Sequence, residues 1–284
     1  MVVRTPLRRR YPPVATTFHD WVFTLLSETC TARGKQRLPI LETDQIHKDF
    51  GGVRALAGVS IGVEEGSILG LIGPNGSGKS TLLNVMAGFY RPTSGTVKFR
   101  GSRIDGFPPH KIVRLGIAKT HQVPRPFLEM TLKENLAISA MNGAKGTRSV
   151  DQGLEEAERV LGYLGLSQRK DVLANSLTVQ EKKQLELGRA LATGAKVLLL
   201  DEIFAGLSPE ELTESMRVFS KLHQELGFTA IVVEHVMKAV VGLSSHVVVL
   251  EEGRDIVEGT PDEVLRDERV IRAYLGAKSD AIRA

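Results

Sequence analysis

Cysteine is almost missing from this chain, since Cys30 is the only cysteine among 284 residues. A single thiol can form neither an intrachain disulfide nor a cysteine-based zinc cluster, and it suits a reducing, cytosolic compartment. Long apolar runs are missing too. The longest stretches, such as residues 197–200 and 230–233, fall far short of the ~18 to 20 residues of a membrane span. The sequence therefore predicts a chain that does not cross a bilayer.

A strong charge excess is also missing from most of the chain. The 37 Lys and Arg residues against 33 Asp and Glu residues give a net charge of +4, but residues 1–40 alone carry seven basic and two acidic side chains. Residues 41–284 are left with a net charge of −1, which speaks against a uniform basic face for nucleic acid. We interpret residues 1–40 as a disordered basic leader or the product of an upstream start codon, with a membrane-surface or partner-binding helix as the alternative.

Short apolar strands alternate with helix-period sequence from residue 41 onward. We predict strands at 57–63, 67–72, 196–200 and 228–233, and a helix at 79–87 directly after the second strand. Residues 131–192 contain no strand candidate and begin with Thr131 and Glu134 at the spacing of a capping box. The sequence therefore predicts an α/β fold with a parallel sheet and an all-helical insertion at about 123–192.

A glycine-rich loop joins the second strand to its helix and fits the phosphate-binding pattern. The predicted binding residues are Gly73, Pro74, Asn75, Gly76, Ser77, Gly78, Lys79, Ser80 and Thr81. Glycines let successive backbone N–H groups point at phosphates, and the following helix adds its positive end. Lys79 would bring a cation to the outer phosphates and the Ser80 hydroxyl a ligand to Mg²⁺, so we predict a nucleotide site here.

Two adjacent carboxylates, Asp201 and Glu202, end an apolar strand at the sheet edge where a nucleotide is expected. Neighbouring strand residues point to opposite faces, so the two carboxylates cannot have the same role. We predict that Asp201 holds Mg²⁺ through water and that Glu202 acts on the attacking water as a base or orienting group. The alternative is an acidic strand end that caps the next helix.

At this point the residues carry a family resemblance. Besides the two motifs above, the specific stretches are HKDFGG at 47–52, GFYRP at 88–92, PPHKI at 108–112 and VIRAYLG at 270–276. The chain resembles the nucleotide-binding subunits of ABC transporters and, among them, the ATPase subunits of branched-chain amino acid importers. The resemblance covers residues 41–276 and implies a P-loop NTPase domain with N-terminal antiparallel strands, followed by a tail at 277–284.

The resemblance also implies roles for three isolated residues. Phe50 stands where an aromatic ring stacks on adenine, which needs only a π face. Gln122 matches the glutamine that reaches Mg²⁺ and the attacking water and links the helical insertion to the site. His235 matches the histidine that contacts the γ-phosphate, so Glu202, His235 and Gln122 form the predicted catalytic set, with ATP and Mg²⁺ as cofactors.

One motif departs from the family pattern. Residues 177–192 align with the ABC signature helix, which usually begins Leu-Ser-Gly-Gly-Gln, but Val179 and Gln180 stand at the two glycine positions. Glycine lets the helix N-terminus approach the opposite subunit's γ-phosphate, whereas a glutamine side chain must move aside or donate itself. Two interpretations stay open: an asymmetric pair in which one of the two ATP sites is slow, or a subgroup in which this signature works normally.

The resemblance implies an ATP-hydrolysing subunit that powers an importer of branched-chain or related amino acids from the cytoplasmic face of the plasma membrane, as a peripheral protein. The implied partners are membrane permease subunits, a sister ATPase that shares two ATP sites and, indirectly, a solute-binding protein. No nucleic acid is expected.

Three other functions compete with this interpretation. The substrate could be another compound, such as urea or a lipid. A soluble ABC-type ATPase acting on nucleic acid or ribosomes would usually carry paired cassettes, coiled coils or metal-binding insertions, and none is visible. A small-molecule phosphoryl transferase would not explain Gln122, the signature-like helix and His235 in that order.

Overall fold

A computed structural model describes residues 39–144, 146 and 149–279. The predictions for the basic leader and for most of the C-terminal tail lie outside the described residues. The described strands, in chain order, are β1 Leu41–Phe50, β2 Val53–Val63, β3 Ile68–Ile72, β4 Ser94–Phe99, β5 Ser102–Arg103, β6 Ile117–Lys119, β7 Val197–Asp201, β8 Thr229–Val233, β9 His246–Glu251 and β10 Arg254–Gly259.

Helices fill most of the remaining described sequence. They are α1 Lys79–Met86, α2 Pro109–Leu115, α3 Leu132–Asn142, α4 Val150–Tyr163, α5 Val179–Ala192, α6 Pro209–Leu226, α7 Met237–Leu243, α8 Pro261–Arg266 and α9 Glu268–Ser279, with short 3₁₀ helices at Ser167–Arg169 and Ala174–Ser176. No helix within the described ranges is long and apolar enough to cross a membrane.

The strands form two sheets. An antiparallel sheet has the order β2-β1-β4-β5, and a six-stranded sheet has the order β10-β9-β3-β8-β7-β6. In the larger sheet all neighbours are parallel except the edge pair β9 and β10. Parallel strands align their carboxyl ends, so the residues that follow β3, β6, β7 and β8 meet at one edge.

Both faces of the parallel sheet are covered, which explains its continuous apolar runs. In β7, Leu198 and Leu200 belong to one core cluster, while Val197 and Leu199 belong to another on the opposite face. All four are fully buried. This burial holds β7 firmly and fixes the position of the carboxylates at its end.

The predicted all-helical insertion is present as α3, α4 and α5. Thr131 begins α3 with the expected capping box: its hydroxyl accepts the N–H of Glu134, whose carboxylate accepts the N–H of Thr131. The described part of 131–192 has one isolated β-bridge, between Thr131 and Leu173, and no strand. The α/β class with a P-loop core, N-terminal antiparallel strands and a helical insertion is therefore confirmed.

One strand boundary differs clearly from its prediction. The strand predicted at 57–63 begins at Val53, because β1 and β2 form a tight hairpin in which Phe50 pairs with Val53. The difference comes from pairing with the neighbouring strand rather than from the local sequence pattern.

Candidate functional site

The phosphate-binding loop lies between β3 and α1, at the carboxyl edge of the parallel sheet. Gly73 and Gly78 have φ angles of +148° and +104°. A Cβ atom at Gly73 would collide with the carbonyl oxygen of Leu250, and one at Gly78 would lie 2.7 Å from that of Ala55. Both positions therefore require glycine, because neighbouring backbone closes around the loop.

The Lys79 ammonium group lies inside this loop. It donates to the carbonyl oxygens of Gly73 and Pro74, both at 2.8 Å, and to Ser77 Oγ at 3.3 Å. Burial lowers the pKa of Lys79, while the nearby carboxylates of Glu202 and Asp201 act in the opposite direction. A cation held among backbone dipoles at a helix N-terminus is an arrangement that binds phosphate.

Ser80 and Asp201 meet beside the loop. The Ser80 hydroxyl donates to Asp201 Oδ1 at 3.3 Å, and the Asp201 side chain is only 4% exposed. Lys119, at the end of β6, holds the other oxygen: its Nζ lies 3.2 Å from Asp201 Oδ2. Hydroxyl and carboxylate oxygens are donors that Mg²⁺ prefers, so this pair fits the ion.

Beyond these two residues and the predicted ligand Gln122, other ligands would have to come from the nucleotide or from water. Among the described residues, no group of three or more His, Cys, Asp and Glu side chains could hold a metal ion. This agrees with the usual binding of Mg²⁺ by one or two protein groups together with substrate phosphates.

The three residues of the predicted catalytic set come together at Glu202. Gln122 Nε2 donates to Glu202 Oε2 at 2.8 Å, and His235 Nε2 lies 3.1 Å from Glu202 Oε1. These residues follow β6, β7 and β8, whose ends are neighbours in the sheet. Each oxygen of the Glu202 carboxylate thus lies beside a different side chain, with a hydrogen bond from Gln122 and a close approach of His235.

Phe50 is placed on the antiparallel sheet, at the end of β1. Its ring is 41% exposed and meets the ring of Tyr90 edge-on, with centroids 5.1 Å apart. Lys48 Nζ lies 4.8 Å from the Phe50 centroid. An exposed aromatic surface next to a cation can stack on a purine base, although its described contacts do not join it to the phosphate loop.

The signature-like helix α5 begins with a complete capping box, in which Thr178 accepts the N–H of Glu181 and is bonded in return. The two residues at the glycine positions, Val179 and Gln180, lie in the first turn; Val179 is 65% exposed and Gln180 is half-buried. Their side chains therefore occupy space that glycine at the same two positions would leave empty.

Sequence reasoning missed four residues of the site. Lys119 forms an ion pair with Asp201, and Lys183 Nζ donates to the carbonyl oxygen of Glu202 at 3.0 Å. The fully buried Glu234 accepts the N–H of Phe204 at 2.7 Å.

The fourth missed residue, Tyr274, accepts the N–H of Gly73 through its hydroxyl oxygen at 2.8 Å. Tyr274 and Lys183 belong to stretches that the sequence marks, VIRAYLG at 270–276 and the signature-like segment at 177–192, but neither stretch indicates their contacts.

A phosphate-binding loop, a carboxylate-ended strand and a helical insertion, on a parallel sheet joined to an antiparallel one, define the class: an ATP-binding cassette of the P-loop NTPase fold. Comparison with known proteins gives the same class. The sequence model of the ABC transporter family matches residues 56–205. A second family model, of the branched-chain amino acid ATP-binding cassette transporter, matches residues 256–280.

Curated relatives and solved structures match similar shares of the chain. The high-affinity branched-chain amino acid transport ATP-binding protein BraF of Pseudomonas aeruginosa is 37% identical over 250 residues, which are 84% of this chain and 98% of BraF. The probable branched-chain amino acid transport ATP-binding protein LivG of Archaeoglobus fulgidus is 37% identical over 254 residues, or 86% and 98% of the two chains. A nucleotide-free ATP-binding cassette from an ABC transporter superposes with a TM-score of 0.76 at 34% identity, covering 84% of this chain and 99% of that one. A cassette in its ADP conformation gives a TM-score of 0.76 at 35% identity with the same coverage.

This chain therefore belongs to the ABC transporter family, among the ATP-binding cassettes of its branched-chain amino acid group.

Proposed function

We propose that this chain hydrolyses ATP to drive a membrane importer of branched-chain or related amino acids. The observation that carries the proposal is the convergence of Gln122 and His235 on the two oxygens of Glu202, next to the phosphate-binding loop. The names of BraF and LivG support the transport role and the substrate class.

The first part of the proposal concerns nucleotide binding. Backbone N–H groups of the loop from Gly73 to Gly78 and the N-terminus of α1 would hold the phosphates, and Lys79 would leave its carbonyl partners for a phosphate oxygen. Ser80, Asp201 and Gln122 would hold Mg²⁺. When bound, the ion supplies positive charge that offsets the charge developing on the phosphate oxygens. Phe50 would stack on the adenine ring.

The second part concerns hydrolysis. Glu202 would accept a proton from the attacking water or orient it, and Gln122 and His235 would keep the carboxylate in place. His235 would also donate to the γ-phosphate. A carboxylate with a partner beside each oxygen populates fewer unproductive orientations, which is the physical advantage of the observed contacts.

The third part concerns coupling to the membrane. A cavity of ≈ 270 Å³ opens between the core and the helical insertion, lined by residues that include Phe89, Val113, His121, Glu186 and Arg189. The exposed ring of Phe127 lies next to it, 5.3 Å from the Arg189 guanidinium. We propose that a segment of a permease subunit docks here, with the chain attached peripherally to the cytoplasmic face of the membrane.

The proposal includes a sister ATPase, with α5 completing the partner's ATP site, and an external solute-binding protein that delivers the amino acid. Because Val179 and Gln180 occupy the first turn of α5, we propose that the site completed by this helix is the slower one. The complete catalytic set on this chain would serve the faster site.

The test begins with copurification of the full chain and candidate permease subunits, followed by ATP turnover in liposomes with the solute-binding protein. Glu202→Gln should abolish most of the turnover while leaving ATP binding intact, whereas Glu155→Gln, the same change at an exposed helical position, should have no effect. Equal turnover of wild type and Glu202→Gln would reject the assignment. A binding screen of the solute-binding protein identifies the amino acid.

A further inference from the structure

The backbone at Glu202 is held in an unusual conformation. Its φ angle is +52°, in the left-handed region that residues other than glycine rarely adopt. The Glu202 N–H donates to the carbonyl oxygen of Val233 at 2.9 Å, which anchors one side of the peptide to β8. Its side-chain contacts orient the carboxylate, while within the turn its carbonyl oxygen accepts one long hydrogen bond, from the Ala205 N–H at 3.4 Å.

Lys183, in the second turn of α5, makes a shorter contact with this carbonyl oxygen. Its Nζ donates to the carbonyl oxygen of Glu202 at 3.0 Å and also to the carbonyl oxygen of Ala205. A single ammonium group therefore bridges the two ends of the turn that follows β7. Both acceptors are backbone carbonyl oxygens, so the contact fixes the path of the main chain rather than the rotamer of a side chain.

The same turn is held from a second direction. Glu234 accepts the N–H of Phe204, which lies between the two carbonyl groups bound by Lys183. Ile203 and Phe204 belong to the same apolar cluster as Leu187 of α5, and Leu207 packs against that cluster. The turn after Glu202 is thus packed on the helix and hydrogen-bonded to it.

We propose that Lys183 is a positioning residue for hydrolysis, and that it ties the helix serving the partner's ATP to the glutamate serving this chain's own ATP. The inference rests on the proposed function, because it needs a second subunit whose nucleotide meets the N-terminus of α5. A displacement of that helix would move the carbonyl oxygen of Glu202 and with it the carboxylate. Lys183 itself touches neither the water nor the phosphates.

The test compares Lys183→Met with Lys183→Arg in the full chain, copurified with its permeases. Methionine keeps the length and removes the donors, whereas arginine keeps charge and N–H donors. We expect Lys183→Met to lower kcat about 10-fold or more and to leave KM and the Kd for ATP within about 2-fold, because the lost contact acts in the reaction and not in binding. Lys183→Arg should recover most of the turnover.

The matched control is Lys221→Met, the same change at an exposed position of α6, which should leave kcat unchanged. A wild-type kcat in Lys183→Met overturns the inference, and so does a loss of ATP binding and thermal stability in proportion to kcat, since that pattern indicates a structural role. Should Lys183→Met fail to fold, Lys183→Gln, which keeps one amide donor, is judged by the same split between kcat and Kd. A wild-type complex without ATP turnover would instead reject the proposed function.

Discussion

The carboxyl group of Glu234 should make the stability of this protein fall between pH 6 and pH 8. Its side chain is fully buried; one oxygen accepts the N–H of Phe204, and the other has no partner among the described residues. Burial raises the pKa of Glu234 from its ordinary value of 4.5 to about 7, although the Phe204 N–H and the charge of Lys183 oppose this shift. Near neutral pH the group is therefore partly protonated in the folded chain and ionised in the unfolded chain.

The direction and the size of the pH effect on stability follow from this difference in protonation between the folded and the unfolded chain. Because the pKa is higher in the folded state, the folded chain binds the extra proton, and stability present below pH 4.5 is lost as the pH rises through 7. At pH 6 about nine tenths of the folded molecules carry the proton and at pH 8 about one tenth, so the group contributes a loss of about 1.4 kcal/mol between the two. Glu234→Gln removes the titrating proton and keeps an acceptor for Phe204.

The assay is denaturation in guanidinium chloride at pH 6, 7 and 8, followed by circular dichroism. The free energy of unfolding of the wild type should fall by about 1.4 kcal/mol more than that of Glu234→Gln over this range, since other titrating groups contribute equally to both. Glu155→Gln, an exposed change, should follow the wild type. Parallel pH profiles of wild type and Glu234→Gln would refute the reasoning.

Two further predictions concern the C-terminal helix and the signature-like helix. Tyr274→Phe should lower the free energy of unfolding by about 1 kcal/mol and weaken ATP binding, because the Gly73 N–H at the start of the phosphate loop loses its acceptor; denaturation and calorimetry measure both. Tyr90→Phe removes a hydroxyl for which the described residues offer no partner, and equal losses in the two variants would contradict the argument. Gln180→Gly should raise the ATP turnover of the assembled transporter if the slower site is the one completed by α5, and an unchanged rate would favour a signature that works normally.

The sequence was sufficient for features written in consecutive residues. The phosphate loop combines positive φ angles, close backbone approach and a helix start within eight positions, and each requirement selects its residue type. The capping box at Thr131 and the apolar run of β7 are equally local. The fold class could therefore be predicted, with the main error where a hairpin extends β2 beyond its sequence pattern.

Contacts between distant elements could not be predicted in this way. Lys119 and Asp201 are 82 positions apart, and Gly73 and Tyr274 are 201 positions apart. A lysine at the end of a short strand or a tyrosine on a C-terminal helix has no pattern that names its partner. Such pairs depend on the order β6-β7-β8-β3 in the sheet and on where α9 packs.

Glu202, the residue proposed to direct hydrolysis, is in contact with both ends of the helical insertion. Gln122 stands at the start of the insertion and holds the Glu202 carboxylate, while Lys183 lies in its last helix and holds the Glu202 carbonyl oxygen. The core contributes further contacts, through Val233, His235 and the N–H of Ala205. An insertion that shifts against the core as a unit must therefore lengthen or rearrange contacts on both the backbone and the side chain of this glutamate. Since the cavity proposed for the permease lies at the same boundary, docking there would act mechanically on the residue proposed to direct the attacking water.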